Sequence, residues 1–169
     1  NLILINISKF KLNLSEQIRY FGNSFLVQDK NNKIFDYKKL KFVTNLKPSK
    51  KDLEFAKFAM NTCKFVKSNS IVITNNLSTI GIGAGQPSRV DSCKIAVSKA
   101  KNFQPKKLRK SIAASDAFFP FPDGIEKLIK AGVKLIIQPG GSIRDKDSIK
   151  ICNKSKVKMI FTGTRHFNH

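Results

Sequence analysis

The clearest pattern of hydrophobic and polar positions begins near Asp52, shortly after Pro48 and Ser49, a combination typical of a helix start. From there apolar residues recur at the spacing of a helix with one buried face. These residues are Leu53, Phe55, Ala56, Phe58, Ala59, Cys63 and Val66. The stretch therefore predicts an amphipathic helix that packs on a core.

Short β-branched runs elsewhere predict strands. Residues 70–74 form one such run, which ends at Asn75-Asn76, and residues 79–82 continue after that turn. Together they predict a β-hairpin. Further strands are predicted over residues 25–28, 41–44, 133–137 and 157–161.

Helical spacing returns in the second half of the chain. Residues 90–100 predict a helix with Ser88 as its cap, and residues 101–110 predict a lysine-rich connector. Two more helices are predicted near residues 124–131 and 145–153. Because strands alternate with helices here, we expect an α/β fold: a layered mixed sheet, partly parallel, with flanking helices and right-handed crossovers.

Residues 113–123 stand out because they concentrate phenylalanine and proline. The prolines remove backbone donors that a central strand needs, so the stretch predicts a rigid loop. Aromatic walls beside carboxylates suit a flat heterocyclic ligand, whose faces need apolar cover and whose edges need hydrogen bonds. The residues concerned are Phe118, Phe119, Phe121, Pro120 and Pro122, flanked by Asp116 and Asp123.

Three polar features leave alternatives open. Residues 81–90 contain Gly-x-Gly-x-Gly, which fits backbone amides facing a phosphate or carboxylate, with Arg89 adding charge, or simply a tight turn. The spacing is not a dinucleotide fingerprint.

Asp116 and Asp123 fit an acid–base pair, or one of them caps a helix. Residues 138–145 follow a strand at its carboxyl end, where α/β sheets gather ligands, and Arg144 is expected in solvent.

The cysteines and histidines indicate no site by their spacing. The three cysteines are odd in number and far apart, which indicates neither disulfides nor zinc and fits a reducing cytosol. The absence of His-x-Glu with Pro-Cys-x-x-Cys excludes zinc deaminase chemistry. His166 and His169 lie in the last four residues, where we expect exposed, idle side chains.

The charge balance is the other unusual property, with a formal net charge of +21. Such an excess fits a polyanionic partner, yet the positive residues are nearly all scattered lysines rather than clustered arginines. Compositional drift explains this pattern better, so nucleic acid is not expected as the primary partner.

No apolar run is long enough to span a bilayer, so no membrane association is expected. The first residue is Asn and not Met, so we expect the chain to be a fragment, a processed product or the product of an incomplete gene model.

Six stretches together resemble one enzyme family. They are Leu-Val-Gln-Asp over residues 26–29, Val-Lys-Ser-Asn-Ser over 66–70, Ile-Gly-Ile-Gly-Ala-Gly-Gln over 80–86 with Ser88-Arg89, Ala-Ser-Asp-Ala-Phe-Phe-Pro-Phe over 114–121, Ile-Gln-Pro-Gly-Gly-Ser-Ile-Arg-Asp over 137–145, and Phe-Thr-Gly-Thr-Arg-His-Phe over 161–167. In this order they resemble the carboxyl-terminal half of the formyltransferase domain in bifunctional purine biosynthesis proteins. That family joins 5-aminoimidazole-4-carboxamide ribonucleotide (AICAR) formyltransferase to IMP cyclohydrolase.

The resemblance implies a cytidine-deaminase-like fold without zinc, and transfer of a formyl group from the cosubstrate 10-formyltetrahydrofolate to AICAR. It implies four nucleotide contacts: Asn69, Arg89, Phe118 and Arg165. It implies four folate contacts: Val90, Pro120, Phe121 and Asp123. It also implies a monovalent cation, potassium, near Ser68, Ser70 and Asp116.

The resemblance covers residues 21–169, with residues 1–20 as a loosely matching lead-in. The family places its catalytic Lys-His pair and its cyclohydrolase domain outside the matched half, so no catalytic residue is assigned here and the general base is expected upstream of Asn1. A homodimer in the cytoplasm is implied as well. The alternative is a non-catalytic or split half-domain that binds nucleotide or folate together with a partner chain.

Overall fold

The computed structural model describes residues 16–33 and 35–168, and the chain divides into two compact units, Asn1–Asn32 and Lys33–His169. In the first unit, strand β1 (Glu16–Phe21) pairs antiparallel with strand β2 (Ser24–Asp29). Gly22 has a φ of +55°, which a two-residue turn favours. The strand predicted over residues 25–28 is thereby confirmed, whereas its partner β1 was not predicted.

The second unit alternates strands and helices in the predicted manner. Its elements are β3 (Lys41–Phe42), α1 (Lys50–Cys63), β4 (Ile71–Asn75), β5 (Ser78–Gly83), α2 (Arg89–Phe103), α3 (Pro105–Leu108), β6 (Ile112–Ser115), α4 (Asp123–Ala131), β7 (Leu135–Gln138), α5 (Asp145–Lys154) and β8 (Lys158–Phe161). A short 3-10 helix, Tyr37–Lys39, precedes β3. Within the described residues, no helix is both long and apolar enough to cross a membrane.

One six-stranded mixed sheet organises this unit, in the order β3-β8-β7-β6-β4-β5. Strands β6, β7 and β8 run parallel, as expected for strands joined by helical crossovers. The pairs β4–β5, β4–β6 and β3–β8 are antiparallel. The α/β class and the mixed sheet with flanking helices are confirmed.

Two hydrophobic clusters lie on opposite faces of the sheet. Alternate residues of β4 divide between them: Ile71 and Ile73 belong to the cluster with α2, α4 and α5, and Val72 belongs to the cluster with α1. This division follows from the two-residue period of a strand. The sheet is therefore the middle of three layers, and its loops are free to form a site at the strand ends.

Helix α1 begins with a reciprocal cap. Ser49 Oγ accepts a hydrogen bond from the Asp52 backbone N–H at 3.1 Å, and Asp52 Oδ2 accepts one from the Ser49 N–H at 2.7 Å. Lys158 Nζ on β8 also donates to Asp52 Oδ2, at 2.6 Å. Although burial opposes it, these bonds lower the pKa of Asp52. The predicted helix start thus also ties α1 to the sheet.

Strand β6 corrects the prediction of a loop over residues 113–123. All four of its residues are buried between β4 and β7. The prolines that argued against a strand stand at 120 and 122, beyond the end of β6, so they remove no donor from the ladder. The lysine-rich connector is also corrected, because residues 101–110 contain the end of α2 and all of α3.

The glycine motif is explained by helix packing rather than by a phosphate loop. Gly81 and Gly83 lie in β5, and a Cβ on them would collide with the backbone carbonyl oxygens of Ala96 and Ser92 in α2. Only glycine therefore allows α2 to approach β5 this closely. Gly85 follows the strand with a φ of +65°, which agrees with the tight-turn alternative for that one position.

We expect Gly83→Ala to lower the free energy of unfolding by about 3 kcal/mol, because the added methyl group overlaps helix backbone that cannot move independently. Gly85→Ala is the matched control, since its Cβ would meet only Lys67 Cβ at 3.9 Å and the cost comes from its φ alone, about 1 kcal/mol. Urea unfolding curves measure both. Equal losses for the two variants would contradict the packing explanation.

Candidate functional site

A buried ion pair forms the centre of the site. Arg89, the first residue of α2, is 7% exposed, and Asp116, directly after β6, is fully buried. The Arg89 guanidinium donates to Asp116 Oδ1, to Ser115 Oγ at 2.9 Å and to Asn69 Oδ1 at 2.7 Å. Because a buried carboxylate needs both a counter-charge and hydrogen bonds, this pair fixes the start of α2 against the end of β6.

Asn69 and Ser68 extend this network ahead of β4. Asn69 Nδ2 donates to the backbone oxygens of Gln86, at 2.9 Å, and Pro87, at 3.1 Å, in the loop before α2. Ser68 Oγ donates to Asp116 Oδ2 at 2.6 Å. The network thus joins three loops at one end of the sheet, and the polar atoms of Asn69 and Arg89 serve largely to hold them together.

The last residues of the chain are held on this network. Ser68 and Asn168 exchange two hydrogen bonds, each 2.9 Å: the Ser68 N–H donates to the Asn168 oxygen, and the Asn168 N–H donates to Ser68 Oγ. The His166 N–H donates to the Asp116 backbone oxygen, also at 2.9 Å. The segment over residues 163–168 is therefore part of the site.

The expectation that His166 is exposed is wrong. His166 is only 4% exposed. Burial, together with the positive charges of Lys64 and Lys33, lowers the pKa of its imidazole. The negative charge of Asp116 opposes this effect and by itself would raise the pKa of His166. His169, the other histidine, lies outside the described residues.

A cavity of about 420 Å³ opens beside this network. Six of the eight residues expected to contact nucleotide or folate line it, and the two that do not are Val90 and Asp123. The lining residues are Asn69, Pro87, Ser88, Arg89, Ala117, Phe118, Pro120, Phe121, Arg165 and Phe167. The sequence expectation thus converges on one place in the fold.

The three phenylalanines of the aromatic stretch have different roles. Phe119 points into the core, at 1% exposure, whereas Phe118 and Phe121 line the cavity. The Arg165 guanidinium lies over the Phe118 ring at 4.7 Å from its centroid. This stack gives the cavity a flat, positively charged wall, which suits an aromatic or anionic ligand.

Gln138 is a supporting residue that the sequence did not single out. It is fully buried at the end of β7, where Oε1 accepts the Phe119 N–H at 3.1 Å and Nε2 lies 3.5 Å from Met159 Sδ. It therefore fixes the path of the backbone between Phe118 and Pro120. Its position, as a polar residue at the end of an otherwise apolar strand, is the sequence feature that could have indicated this role.

Val90 and Asp123 occupy the first turns of α2 and α4, outside the cavity lining. Asp123 is exposed, and its Oδ1 accepts a hydrogen bond from the Gly124 N–H at 2.7 Å. The N-cap of α4 is Pro122 and makes no side-chain cap hydrogen bond, so Asp123 does not cap this helix but stands in its first turn. Asp116 is paired with Arg89, which leaves no support for an acid–base pair with Asp123.

The side chains of Ser68, Ser70 and Asp116 do not fit the implied potassium ion. Arg89 and Ser68 engage the two carboxylate oxygens of Asp116, and Ser70 Oγ faces Cys63 Sγ at 3.2 Å. The pocket around the carboxylate thus already holds a cationic group. Among the described residues, no group of three or more His, Cys, Asp or Glu side chains is arranged to hold a metal.

The three cysteines are buried, free thiols. Burial raises the pKa of Cys63, Cys93 and Cys152 to about 12 in each case. A thiol with such a pKa is not a nucleophile at neutral pH. The cysteines therefore contribute packing to the site's surroundings rather than chemistry.

Taken together, these features define an α/β protein with a cavity at the loop end of its sheet. Comparisons with known proteins agree with the resemblance drawn from the motifs. A family model described as AICARFT/IMPCHase bienzyme matches residues 1–99. The chain therefore belongs to the AICARFT/IMPCHase bienzyme family.

Individual relatives support this membership. The bifunctional purine biosynthesis protein PurH of Persephonella marina is 46% identical over 170 residues, which cover 100% of this chain and 32% of that protein. PurH of Leptospira biflexa is also 46% identical, covering 100% of this chain and 33% of its own length. PurH of Streptococcus pyogenes serotype M4 is 53% identical over 127 residues, 75% of this chain and 24% of that protein. The chain spans about a third of the length of these first two relatives.

Among solved structures, RibD of Acinetobacter baumannii superposes with a TM-score of 0.42 at 17% identity, over 65% of this chain and 33% of that chain.

We expect Asp116→Asn to lower the free energy of unfolding by about 3 kcal/mol, because it leaves the buried Arg89 guanidinium without a counter-charge. The double variant Arg89→Met/Asp116→Asn should recover part of this loss, since neither charge remains buried. Guanidinium chloride unfolding of the two single variants and the double variant measures the coupling. Additive losses would show that the two side chains do not depend on each other.

Acid should destabilise the protein through His166. Its pKa in the folded state lies below the ordinary value of 6.5, so the unfolded chain takes up this proton first as the pH falls. The contribution of His166 to stability is therefore complete well above pH 6.5 and decreases as the pH drops through 6.5 toward the lowered pKa. Urea midpoints at pH 7.5 and pH 5.5 should fall less for His166→Asn than for the unsubstituted protein. An equal fall in both would contradict this assignment.

Proposed function

We propose that this chain forms part of an AICAR formyltransferase, in which it binds AICAR and 10-formyltetrahydrofolate for the transfer of a formyl group during IMP synthesis. The observation that carries the proposal is the convergence of six expected ligand contacts on one cavity. Family membership supports it, because the relatives are named bifunctional purine biosynthesis proteins. We also propose that this sheet with helices on both faces is a version of the cytidine-deaminase-like fold without zinc.

On the nucleotide side, Phe118 and Arg165 provide the ligand surface in this proposal. The ring of Phe118 covers one face of the imidazole base, and the Arg165 guanidinium meets the negative charge of the nucleotide. Arg165 is exposed enough to reach a ligand, whereas the Arg89 guanidinium is occupied by its protein partners. Asn69 and Arg89 then act mainly by shaping the cavity.

On the folate side, Pro120 and Phe121 form the apolar wall. Phe121 is 53% exposed and lines the cavity, so a ligand there can cover its ring. A pterin ring supplies such cover, and Val90 and Asp123 at the nearby helix starts complete this side, with the carboxylate of Asp123 meeting the polar edge of the ring. Binding both molecules side by side orients the AICAR amine toward the formyl carbon.

Formyl transfer also requires a group that accepts the proton of the attacking amine. Among the described residues that line the cavity, the ionisable side chains are Arg89 and Arg165, and an arginine does not accept a proton at neutral pH. We therefore assign no catalytic residue to this chain and expect the Lys-His pair of the family upstream of Asn1. The chain by itself binds but does not turn over substrate, and a homodimer in the cytoplasm completes the site. No step in this scheme uses the potassium ion.

The same observation supports the alternative function, a non-catalytic or split half-domain that binds nucleotide or folate with a partner chain. The mass of the native polypeptide separates the two. A mass about three times that of this chain indicates one part of a bifunctional enzyme. A mass near that of this chain indicates a separate half-domain and a partner chain that carries the base.

The binding proposal is tested by isothermal titration calorimetry of this chain with AICAR and with 5-formyltetrahydrofolate, a stable folate probe. We expect Arg165→Ala to weaken AICAR binding about tenfold, because one charge-assisted contact to the nucleotide is lost. Lys130→Ala on the outer side of α4 is the control, since it removes the same charge away from this cavity. An equal loss in both variants would mean that the overall charge, and not the site, attracts the nucleotide.

A further inference from the structure

We propose that Arg144 is a positioning residue for the folate side of the cavity, where it holds the ring of Phe121 in place. The proposal rests on the function proposed above. The Arg144 guanidinium carbon lies 5.0 Å from the centroid of the Phe121 ring, which is within the range of a cation–π contact. Phe121 lines the cavity, and Arg144 is not among the described residues that do. Arg144 therefore acts through Phe121.

Phe121 has little freedom in its backbone. It stands between Pro120 and Pro122, whose rings fix their own φ angles. Directly after them α4 begins, and the Glu126 N–H donates to the Pro122 oxygen at 2.9 Å. What remains free is the rotation of the Phe121 side chain, which is half exposed.

Arg144 is equally fixed in its backbone. Its carbonyl oxygen accepts hydrogen bonds from the N–H groups of Asp147, at 3.1 Å, and Ser148, at 3.2 Å, at the start of α5. Its own N–H donates to Ser142 Oγ at 3.2 Å. Because β7 precedes this loop and lies beside β6, the guanidinium reaches Phe121 from the neighbouring strand end.

This contact differs from the second stack at the same cavity. Arg165 lies over Phe118 and itself lines the cavity, so it can touch a ligand directly. Arg144 covers Phe121 from outside the lining, which limits the positions of the ring before a ligand arrives. Restricting a side chain in advance reduces the entropy that binding would otherwise cost. The gain should therefore appear in folate affinity and not in nucleotide affinity.

The test is calorimetric titration of the full chain with 5-formyltetrahydrofolate and, separately, with AICAR. We expect Arg144→Ala to weaken folate binding about threefold and to leave AICAR binding unchanged. Arg144→Lys should restore less than half of the loss, because an ammonium group lacks the planar stacking surface of a guanidinium. Arg109→Ala removes the same charge at another exposed position and should have no effect. In a Phe121→Ala background, Arg144→Ala should cause no further loss.

The outcomes distinguish this inference from the function on which it rests. If the unsubstituted chain binds no folate, the proposed function fails and the role of Arg144 fails with it. If the chain binds folate and Arg144→Ala binds it equally well, only the role of Arg144 is overturned. It is also overturned by full recovery in Arg144→Lys, by an equal loss in Arg109→Ala, or by a further loss in the Phe121→Ala background. Each of these results would mean that the arginine acts by charge alone or independently of the ring.

Discussion

The site depends on one buried pair of opposite charges, Arg89 and Asp116. Neither group tolerates burial alone, so each holds the other and the elements that carry them. Through this pair the end of β6, the start of α2 and, by way of Asn69 and Ser68, the entry to β4 become a single polar network. The cavity lies beside this network, and Asn69 and Arg89 belong both to the network and to the cavity lining.

Around that network, the strands form the rigid sheet, and the loops that follow them supply residues that line the cavity or support its lining. The parallel strands β6 and β7 both end on the side where the cavity opens, so the aromatic stretch and the glycine-rich loop over residues 139–144 meet there. Gln138 links the two through its bond to the Phe119 N–H. Carboxyl ends of adjacent parallel strands recur as binding sites in α/β folds for this geometric reason.

Much of this architecture could be predicted from the sequence, because periodicity is local. The apolar spacing of α1 and the β-branched run of β4 each predicted the correct element. Strand β6 was missed because its small residues, Ala113 and Ala114, carry little strand preference, and because Pro120 and Pro122 a few residues later made the whole stretch resemble a loop. Burial of β6 between two partners overrides that weak local preference.

The candidate site could be predicted less completely than the fold, and mainly through family motifs rather than through local periodicity. Family motifs brought together Asn69, Phe118 and Arg165, which are far apart in sequence and line one cavity. The pairing of Arg89 with Asp116 and the burial of His166 could not be predicted, since both depend on contacts between distant segments. The glycine spacing suggested a phosphate loop or a tight turn for a similar reason. Gly81 and Gly83 are required because α2 packs directly on them, and a local sequence pattern does not show that contact.

Residues 163–168 follow the last strand of the sheet, yet Arg165 and Phe167 form one side of the cavity. No helix or strand contains them. They are held by the two hydrogen bonds between Ser68 and Asn168 and by the bond from the His166 N–H to the Asp116 backbone oxygen. This wall therefore rests on a few loop contacts rather than on the hydrogen-bond ladder of the sheet, so its local stability can differ from that of the core.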